Sequence, residues 1–314
     1  MNCSLLHGHS DDDHVYTLGE YEAAQPRWCP GCGDHGILSS MQRLLVAEQL
    51  QPENTVFVSG IGCSSRFPHY MKTYGFHGIH GRALPVATGI RLSRPELTIF
   101  VVMGDGDCTS IGAAHWLHAT RYNMDMTALL LDNNIYGLTK NQTSPTTPQG
   151  VKSNTQPRGS FLPPLNPIEA TLGITNASFV AQTAEWLPAH MYATLREAHR
   201  HRGFSFVRIL QRCPVYTPQI FQLAVRQPDL IELLVHDDGV VVPELDRTYT
   251  RQLRHDPRDL DGARRLAEPT DGIRLGVFFR DDTRPRYDDL RRVAPQTKEN
   301  MISLLNQELD RYAV

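Results

Sequence analysis

Short apolar runs alternate with segments of helical periodicity between residues 37 and 213 of this 314-residue chain. The runs at residues 55–58, 97–103 and 126–131 contain no charged side chain. Central strands that are covered on both faces have such sequences, whereas a strand with one solvated face alternates apolar and polar residues. Strands of this kind that alternate with helices are typical of α/β domains. We therefore predict an α/β fold with a mainly parallel sheet that is covered by helices on both faces.

The same periodicity predicts the remaining elements. Helices are expected at residues 37–50, 84–92, 110–122 and 185–202, and further strands at residues 177–181 and 204–210, the latter being the last buried strand. Because ligands of parallel sheets lie at the carboxyl ends of the strands, the loops that leave the strands should open on one edge. These loops are residues 60–66, 104–108, 133–141 and 211–214. The Pro- and Thr-rich stretch 143–167 is expected to be an ordered loop or lid.

Charged residues are unevenly distributed along the chain. Residues 226–314 carry 33 charged side chains among 89 residues, whereas residues 1–225 carry 32. We therefore predict an N-terminal segment (1–25), a core domain (26–225) and a charged C-terminal extension (226–314) that packs on a surface or a partner. The net charge of −3 gives no electrostatic reason to expect binding to nucleic acid or to a membrane surface. We find no secretory signal and no apolar run long enough to span a membrane, and we expect a cytoplasmic protein.

Two polar motifs each follow a buried run. Gly104-Asp105-Gly106 comes after one run, and Asn133-Asn134 comes after the next, with 26 residues between Gly106 and Asn133. A turn, a helix and a return strand occupy that length, so the two motifs should lie on neighbouring loops. This pattern resembles the thiamine diphosphate signature; a simple structural turn is the alternative.

The oxygen atoms of these loops suit a divalent cation. Mg²⁺ prefers oxygen ligands, typically one or two carboxylates together with phosphates of a ligand. Asp105 would supply a carboxylate, Asn133 an amide oxygen and Ile135 a backbone carbonyl. Gly104 and Gly106 would let the backbone approach a phosphate, aided by the start of the helix that is predicted near residue 110.

The cysteines form a second pattern. Cys29 and Cys32 make a C-x-x-C pair, which alone fits half of a zinc site, a redox pair or half of an iron–sulfur site. Cys63 and Cys213 each follow a predicted strand, and Cys108 directly follows the Gly-Asp-Gly-Asp turn. The spacing does not decide between Cys108 and Cys213 as a further ligand.

Several segments taken together resemble the β subunit of 2-oxoacid:ferredoxin oxidoreductases. They are WCPGCG at residues 28–33, GIGCSS at 60–65, HGRA at 80–83, MGDGD at 103–107 and DNNIYGLT at 132–139. The resemblance covers residues 26–215 and carries nothing onto residues 226–314. It implies a domain that binds thiamine diphosphate, Mg²⁺ and one 4Fe–4S cluster.

The resemblance also implies which residues form the sites. Cys29, Cys32, Cys63 and Cys213 would bind the cluster, which leaves Cys3 and Cys108 as free thiols. The implied cofactor contacts are Ile61, Gly62, Cys63, Ser64, His80, Gly104, Gly106, Asp107, Gly137, Leu138 and Thr139, with Asp105, Asn133 and Ile135 at the magnesium ion. His80 is also a candidate catalytic residue.

The activity implied by the resemblance is the reversible oxidative decarboxylation of a 2-oxoacid to an acyl-CoA and CO₂. Electrons would pass through the cluster to ferredoxin, and coenzyme A would be the co-substrate. We find no glutamate that suits the cofactor's aminopyrimidine ring; in this family that residue comes from the partner chain. We therefore expect an α subunit, in an αβ or (αβ)₂ assembly, and a separate ferredoxin.

The substrate is a further expectation. Arg66, three residues after Cys63, would offer a planar fork to a second carboxylate, which favours 2-oxoglutarate over pyruvate; a structurally paired arginine is the alternative. Residues 140–145 are also more similar to the 2-oxoglutarate members. Pyruvate or another 2-oxoacid, a non-redox thiamine diphosphate decarboxylase or synthase, and a non-catalytic metal-binding or interaction protein are the competing interpretations.

Overall fold

The computed structural model describes residues 14–237, 239–291 and 298–312; Cys3 lies outside this part of the chain. The described residues build one nine-stranded sheet. Its strands are β1 (Thr55–Ser59), β2 (Tyr74–His77), β3 (Thr98–Gly104), β4 (Met126–Asp132), β5 (Phe179–Ala184), β6 (Phe204–Leu210), β7 (Ile231–Val235), β8 (Gln252–Arg254) and β9 (Ile273–Arg280). The strand order is β2-β1-β3-β4-β6-β5-β9-β7-β8. Neighbouring strands are parallel except β5 and β9, so the sheet is mainly parallel as predicted.

Helices lie on both faces of this sheet, which confirms the predicted fold class. In the described residues they are α1 (Asp34–Ala47), α2 (Ala83–Ser93), α3 (Ala113–Tyr122), α4 (Pro167–Leu172), α5 (Pro188–Arg200), α6 (Gln222–Arg226), α7 (Leu260–Ala267), α8 (Tyr287–Arg291) and α9 (Lys298–Asp310). None of them is long and apolar enough to cross a membrane.

Successive residues of each central strand enter opposite cores. In β4, Ala128 and Leu130 belong to the core that includes Trp116 of α3. Leu129 and Leu131 belong to the core on the other face, to which α1 and α5 contribute. This two-residue alternation explains why the strand sequence is apolar throughout, since neither face of the strand meets water.

The elements differ from the predictions at several places, and three of these differences have a clear structural reason. The helix predicted from residue 110 begins at Ala113, because a turn of π-helix over Asp107–Ile111 precedes it, in which the Gly112 N–H donates to the Asp107 carbonyl. The helix predicted from residue 185 begins at Pro188, which suits a first helical turn. The strand at residues 204–210 is not the last buried one, because Val277 and Phe279 of β9 are fully buried.

The stretch predicted as a charged extension contributes β7, β8 and β9 to the sheet. β9 pairs with β5 of the preceding part of the chain, with Gln182 opposite Gly276. The boundaries at residues 25 and 225 stay a prediction.

The register brings the predicted site loops to one edge. Ser59 of β1 is level with Val102 of β3, Gly104 of β3 is level with Leu131 of β4, and Asp132 is level with Leu210 of β6. The loops after these strands therefore leave the same edge of the sheet, as parallel strands require.

Candidate functional site

A cleft of about 80 Å³ lies at this carboxyl edge. It is lined by Ile61, Gly62, Cys63, Ser64, His80, Gly104, Asp105, Gly106, Asp107, Leu131, Asn133, Ile135, Tyr136, Gly137, Leu138 and Thr139. Every residue predicted to contact the cofactor or the magnesium ion is in this set. The structure thus brings these residues together in one place, while their binding roles stay predictions.

The sequence analysis missed Tyr136 and Leu131. The Tyr136 hydroxyl donates a hydrogen bond of 3.1 Å to the Gly106 carbonyl, and a side-chain carbon at Gly106 would overlap the tyrosine ring. Gly106 is therefore glycine because this ring lies against its backbone. The position of Tyr136 between Ile135 and Gly137, both predicted, was the signal that pointed to it.

Asp105 is buried at the floor of the cleft, 3% exposed. Its Oδ2 accepts hydrogen bonds from Ser144 Oγ at 2.5 Å and Thr146 Oγ1 at 2.8 Å. Burial, followed by the nearby negative charge of Asp132, raises the pKa of Asp105 to about 7. The raised pKa means that the negative charge of Asp105 is disfavoured in this position. A bound divalent cation would stabilise that charge.

The other predicted cation ligands lie beside Asp105. The Asn133 side-chain oxygen accepts a hydrogen bond of 3.1 Å from the Ile135 N–H, which fixes the turn after β4. Ser64 Oγ is buried without a hydrogen-bond partner. If Gly104 carried a Cβ atom, that atom would lie 3.1 Å from Ser64 Oγ, so the two loops approach closely here. One carboxylate, an amide oxygen and an unsatisfied hydroxyl are a donor set that fits Mg²⁺ with a diphosphate. No group of three or more His, Cys, Asp or Glu arranged for a metal occurs among the described residues. This oxygen-rich site is not of that type, and the four cysteines that are predicted to bind a cluster are not gathered in such an arrangement either.

Asp107 joins the loops that surround the cleft. Its Oδ1 accepts hydrogen bonds from the N–H groups of Gly81 at 2.7 Å and Ile61 at 3.3 Å, and it also pairs with His80 Nδ1. Its Oδ2 is buried without a hydrogen-bond partner. Asp107 thus positions His80 at the cleft, where the imidazole meets the edge of the Tyr136 ring at 6.0 Å between centroids.

Leu138 and Thr139 lie at the mouth of the cleft, and both side chains are exposed. Leu138 is 47% exposed, so its apolar surface is open to a ligand or a partner.

The C-x-x-C loop contacts the other two cysteine-bearing loops. Trp28 Nε1 donates a hydrogen bond of 2.7 Å to the Cys63 carbonyl. The Gly33 N–H donates to the Arg212 carbonyl at 3.2 Å, and Gln211 Nε2 lies 3.3 Å from Cys32 Sγ. The chain segments of Cys29, Cys32, Cys63 and Cys213 therefore converge.

The chemistry of these thiols fits an iron–sulfur cluster. Burial raises the pKa of Cys63 to about 12, with further contributions from Asp34, Cys213 and Cys29. Burial also raises the pKa of Cys32. Such thiols become thiolate ligands when iron supplies the compensating positive charge.

Cys108 lies elsewhere. It is 1% exposed and packs in the apolar core with α2 and α3. Burial, followed by the charges of Asp107 and Asp105, raises its pKa. Between the two alternatives that the spacing left open, the geometry favours Cys213, because Cys213 lies beside the C-x-x-C loop.

Arg66 does not line the cleft. Its guanidinium lies 5.8 Å from the centroid of the Tyr70 ring. The positive charge of Arg66 partly opposes the burial that raises the pKa of Cys63. In this position the side chain is not at the cleft. Its contact with a substrate carboxylate therefore stays a prediction.

The comparisons agree with this arrangement. The profile of the family "Thiamine pyrophosphate enzyme, C-terminal TPP binding domain" matches residues 60–209, which hold all the residues that line the cleft. The fold and the cleft thus define the class of thiamine diphosphate enzymes.

Named relatives narrow the class. The chain is 35% identical over 268 residues to the 2-oxoacid:ferredoxin oxidoreductase subunit beta of Sulfolobus sp., which covers 83% of this chain and 84% of that one. It is 46% identical over 218 residues to the 2-oxoglutarate oxidoreductase subunit KorB of Mycobacterium tuberculosis, which covers 68% of this chain but only 58% of that relative. The solved 2-oxoglutarate:ferredoxin oxidoreductase from Magnetococcus marinus with 2-oxoglutarate, coenzyme A and succinyl-CoA bound is similar over 94% of this chain and 97% of its own, with a TM-score of 0.78 and 33% identity. The chain belongs to the family of 2-oxoacid:ferredoxin oxidoreductase β subunits, which confirms the predicted resemblance.

Proposed function

We propose that this chain is the thiamine diphosphate-binding subunit of an enzyme that oxidatively decarboxylates a 2-oxoacid, with 2-oxoglutarate as the natural substrate. The products would be succinyl-CoA and CO₂, and the electrons would reach a separate ferredoxin. The observation that carries the proposal is that Cys63 belongs to two sites at once. This residue lines the cleft and also lies in the group of converging cysteines.

This position matters for electron transfer. When bound, thiamine diphosphate supplies the nucleophilic carbon for decarboxylation, and a 4Fe–4S cluster supplies one-electron oxidation. Cys63, with Cys29, Cys32 and Cys213, would hold the cluster directly against the cleft. The short path suits a reaction that removes electrons one at a time.

The remaining residues would hold and orient the reactants. Asp105, Asn133 and the carbonyl of Ile135 would bind Mg²⁺, while Ser64 and the glycine backbones would contact the diphosphate. His80, held by Asp107, would orient groups at the reacting end of the cleft. Leu138 would cover the apolar part of the substrate.

The partner would be an α subunit that completes the active site, in an αβ or (αβ)₂ assembly. The relatives are named β subunits, which supports this. All four residues of the edge strand β2 are exposed, among them Phe76 at 50%, and Ile79, which precedes His80, is 70% exposed. An exposed edge with apolar side chains is a surface that a partner would cover.

The substrate assignment is supported by two of the relatives named above, the 2-oxoglutarate oxidoreductase subunit of Mycobacterium tuberculosis and the 2-oxoglutarate:ferredoxin oxidoreductase of Magnetococcus marinus. Arg66 would bind the second carboxylate after its guanidinium turns away from Tyr70. We also propose that the protein acts in the cytoplasm. The five cysteines of the described residues are free thiols, which suits a reducing compartment.

Anaerobic purification of the chain with its α subunit tests the proposal. We expect bound iron and sulfide, and reduction of a low-potential dye or ferredoxin that requires both coenzyme A and 2-oxoglutarate. Electron paramagnetic resonance should show a reduced cluster or an organic radical only after the 2-oxoacid is added. Activity with pyruvate alone would reject the substrate assignment but keep the enzyme class. Zinc in place of iron, with no signal from either acid, would reject the oxidoreductase and favour a non-redox thiamine diphosphate enzyme.

A further inference from the structure

Two buried carboxylates lie on either side of one threonine hydroxyl. Thr146 Oγ1 is 2.8 Å from Asp105 Oδ2 and also 2.8 Å from Asp132 Oδ1. Asp132 is 0% exposed and Thr146 is 2% exposed. A hydroxyl has a single proton to donate, so at any moment it serves one of the two carboxylates.

Asp132 is well supplied with other donors. Arg208 Nε and Nη2 donate to its Oδ2 at 2.7 and 2.6 Å. The backbone N–H and the side-chain amide of Asn134 donate to its Oδ1 at 3.1 and 2.9 Å. Because Asp132 is satisfied without the threonine, the Thr146 proton is available to Asp105.

The arginine that holds Asp132 is itself held from across the sheet. Arg208 Nη1 donates to Gln182 Oε1 at 3.1 Å, and Gln182 Nε2 donates to the Arg274 carbonyl of β9 at 2.8 Å. A line of hydrogen bonds therefore runs from β9 through β5, β6 and β4 to Asp105 at the end of β3. The links from β9 to Asp132 join neighbouring strands, and Thr146, in the loop after β4, makes the connection from Asp132 to Asp105.

Only one oxygen of the Asp105 carboxylate accepts these hydroxyl hydrogen bonds. Both hydroxyl contacts, from Thr146 and Ser144, are to Oδ2, and neither is to Oδ1. Ser144 is in turn fixed by Thr147, whose hydroxyl accepts the Ser144 N–H at 2.8 Å and donates to the Asn134 carbonyl at 2.6 Å.

We propose that Thr146, backed by the Asp132–Arg208 ion pair, is a positioning residue that fixes the rotation of the Asp105 carboxylate, so that Oδ1 faces the cation of the cleft. The inference rests on the proposed magnesium and diphosphate site. It assigns a function to the loop at residues 143–147 and to Asp132, neither of which is among the predicted cation ligands. Without these two hydroxyls the Asp105 carboxylate would keep one other donor, the backbone N–H of Gly106.

The test uses the full chain in complex with its α subunit, freed of cation and cofactor. Mn²⁺ replaces Mg²⁺, and the free ion is measured by electron paramagnetic resonance while thiamine diphosphate is saturating. We expect Thr146→Val to weaken Mn²⁺ binding by about tenfold or more, the loss of a hydrogen bond to a charged group. Thr146→Ser, which keeps the hydroxyl, should bind Mn²⁺ within about threefold of the unchanged protein.

Thr194→Val is the matched control. Thr194 is buried like Thr146, at 0% exposure, and its hydroxyl donates at 2.8 Å to the His190 carbonyl within α5, on the opposite side of the sheet from the Thr146 line. The same loss of a buried hydroxyl there should leave the Mn²⁺ affinity unchanged. Should Thr146→Val not fold, Ser144→Ala removes the other hydroxyl on Oδ2 and should weaken Mn²⁺ binding in the same direction.

Equal Mn²⁺ affinity of Thr146→Val and the unchanged complex overturns the inference. So does a Thr146→Ser complex as weak as Thr146→Val, because packing rather than the hydroxyl would then be the cause. If the unchanged complex binds neither Mn²⁺ nor thiamine diphosphate, the proposed function fails and this inference fails with it.

Discussion

Trp28 and Cys63 are joined by a hydrogen bond of 2.7 Å from the indole Nε1 to the backbone carbonyl oxygen. Trp28 directly precedes the C-x-x-C pair, and Cys63 lies on the wall of the cleft. The Trp28 ring also packs edge-on against Tyr70 at 4.7 Å between centroids, so the loop has little freedom to move away. One contact thus couples the cysteine group to the predicted cofactor site.

The convergence of the cysteine loops predicts different results for two buried cysteines. Cys213→Ala should lower the iron bound per chain by more than about tenfold, since even indirect changes at metal sites cost that much. Cys108→Ala should retain iron, because Cys108 packs in the apolar core away from the C-x-x-C loop. Iron and sulfide analysis of both anaerobically purified variants checks this. Loss of iron from Cys108→Ala alone would contradict the assignment.

The close contact between Tyr136 and Gly106 predicts a steric effect. Gly106→Ala should weaken thiamine diphosphate binding by about tenfold, because displacing the tyrosine ring costs roughly 1–3 kcal/mol. Gly89→Ala is the control. Gly89 lies at an exposed position in the middle of α2, and a Cβ added there would have no atom within 4 Å. That change should stabilise the chain by about 0.5–1 kcal/mol without affecting the cofactor. Calorimetric titration and urea unfolding measure the two quantities, and unchanged cofactor affinity of Gly106→Ala would count against the cleft as its site.

The raised pKa of Asp105 predicts that cation binding depends on pH. Burial and Asp132 raise this pKa to about 7, and only the ionised form binds a cation. The affinity for Mn²⁺ should therefore fall by up to about tenfold per pH unit below pH 7 and level off above it. Titrations across this range check the slope; Asp105→Asn should bind weakly and show no such dependence.

The same shift has a consequence for stability without the cation. The folded pKa is higher than the unfolded value, so the folded state binds more protons between pH 4 and 7. This group's contribution to stability is present below the unfolded pKa and is lost as pH rises through about 7. Added Mg²⁺ should remove the loss, which thermal unfolding at several pH values would show.

The proposed role of Arg66 predicts a change in specificity. Arg66→Gln should raise the KM for 2-oxoglutarate by about tenfold, the loss of a charged hydrogen bond, with little change for pyruvate. Steady-state kinetics with both acids measures the difference. An equal effect on both substrates would assign Arg66 to the surroundings of Cys63, where its guanidinium lies over Tyr70.

Much of the site could be predicted because the motifs are local in sequence. Asp105 and Asn133 follow adjacent parallel strands, and strand register alone places both at one edge. Tyr136 was missed although it lies between two predicted residues, since only its contact with Gly106 reveals its function. Ser144 and Thr146 were missed because a polar loop has no periodicity that assigns a partner to each hydroxyl.

The C-terminal strands show a different limit. β9 has an apolar run, yet its pairing partner β5 lies about ninety residues earlier, and a sequence pattern does not specify such a partner. Arg66 shows the same limit for a side chain. Its residue type suits a carboxylate, but a long flexible side chain is placed by its neighbours, here Tyr70.

The amino-acid sequence by itself determined the fold class, the edge of the sheet where the site lies, and the family. These depend on apolar periodicity and on short motifs, which are written in consecutive residues. The family resemblance implied Cys213 rather than Cys108 as a cluster ligand, and the tertiary structure favours the same residue because it lies beside the C-x-x-C loop. Only the tertiary structure linked Asp105 through Thr146 to Asp132 and Arg208. The reason is physical: burial and hydrogen-bond partners are properties of residues distant in sequence, and they exist only once the strands have paired.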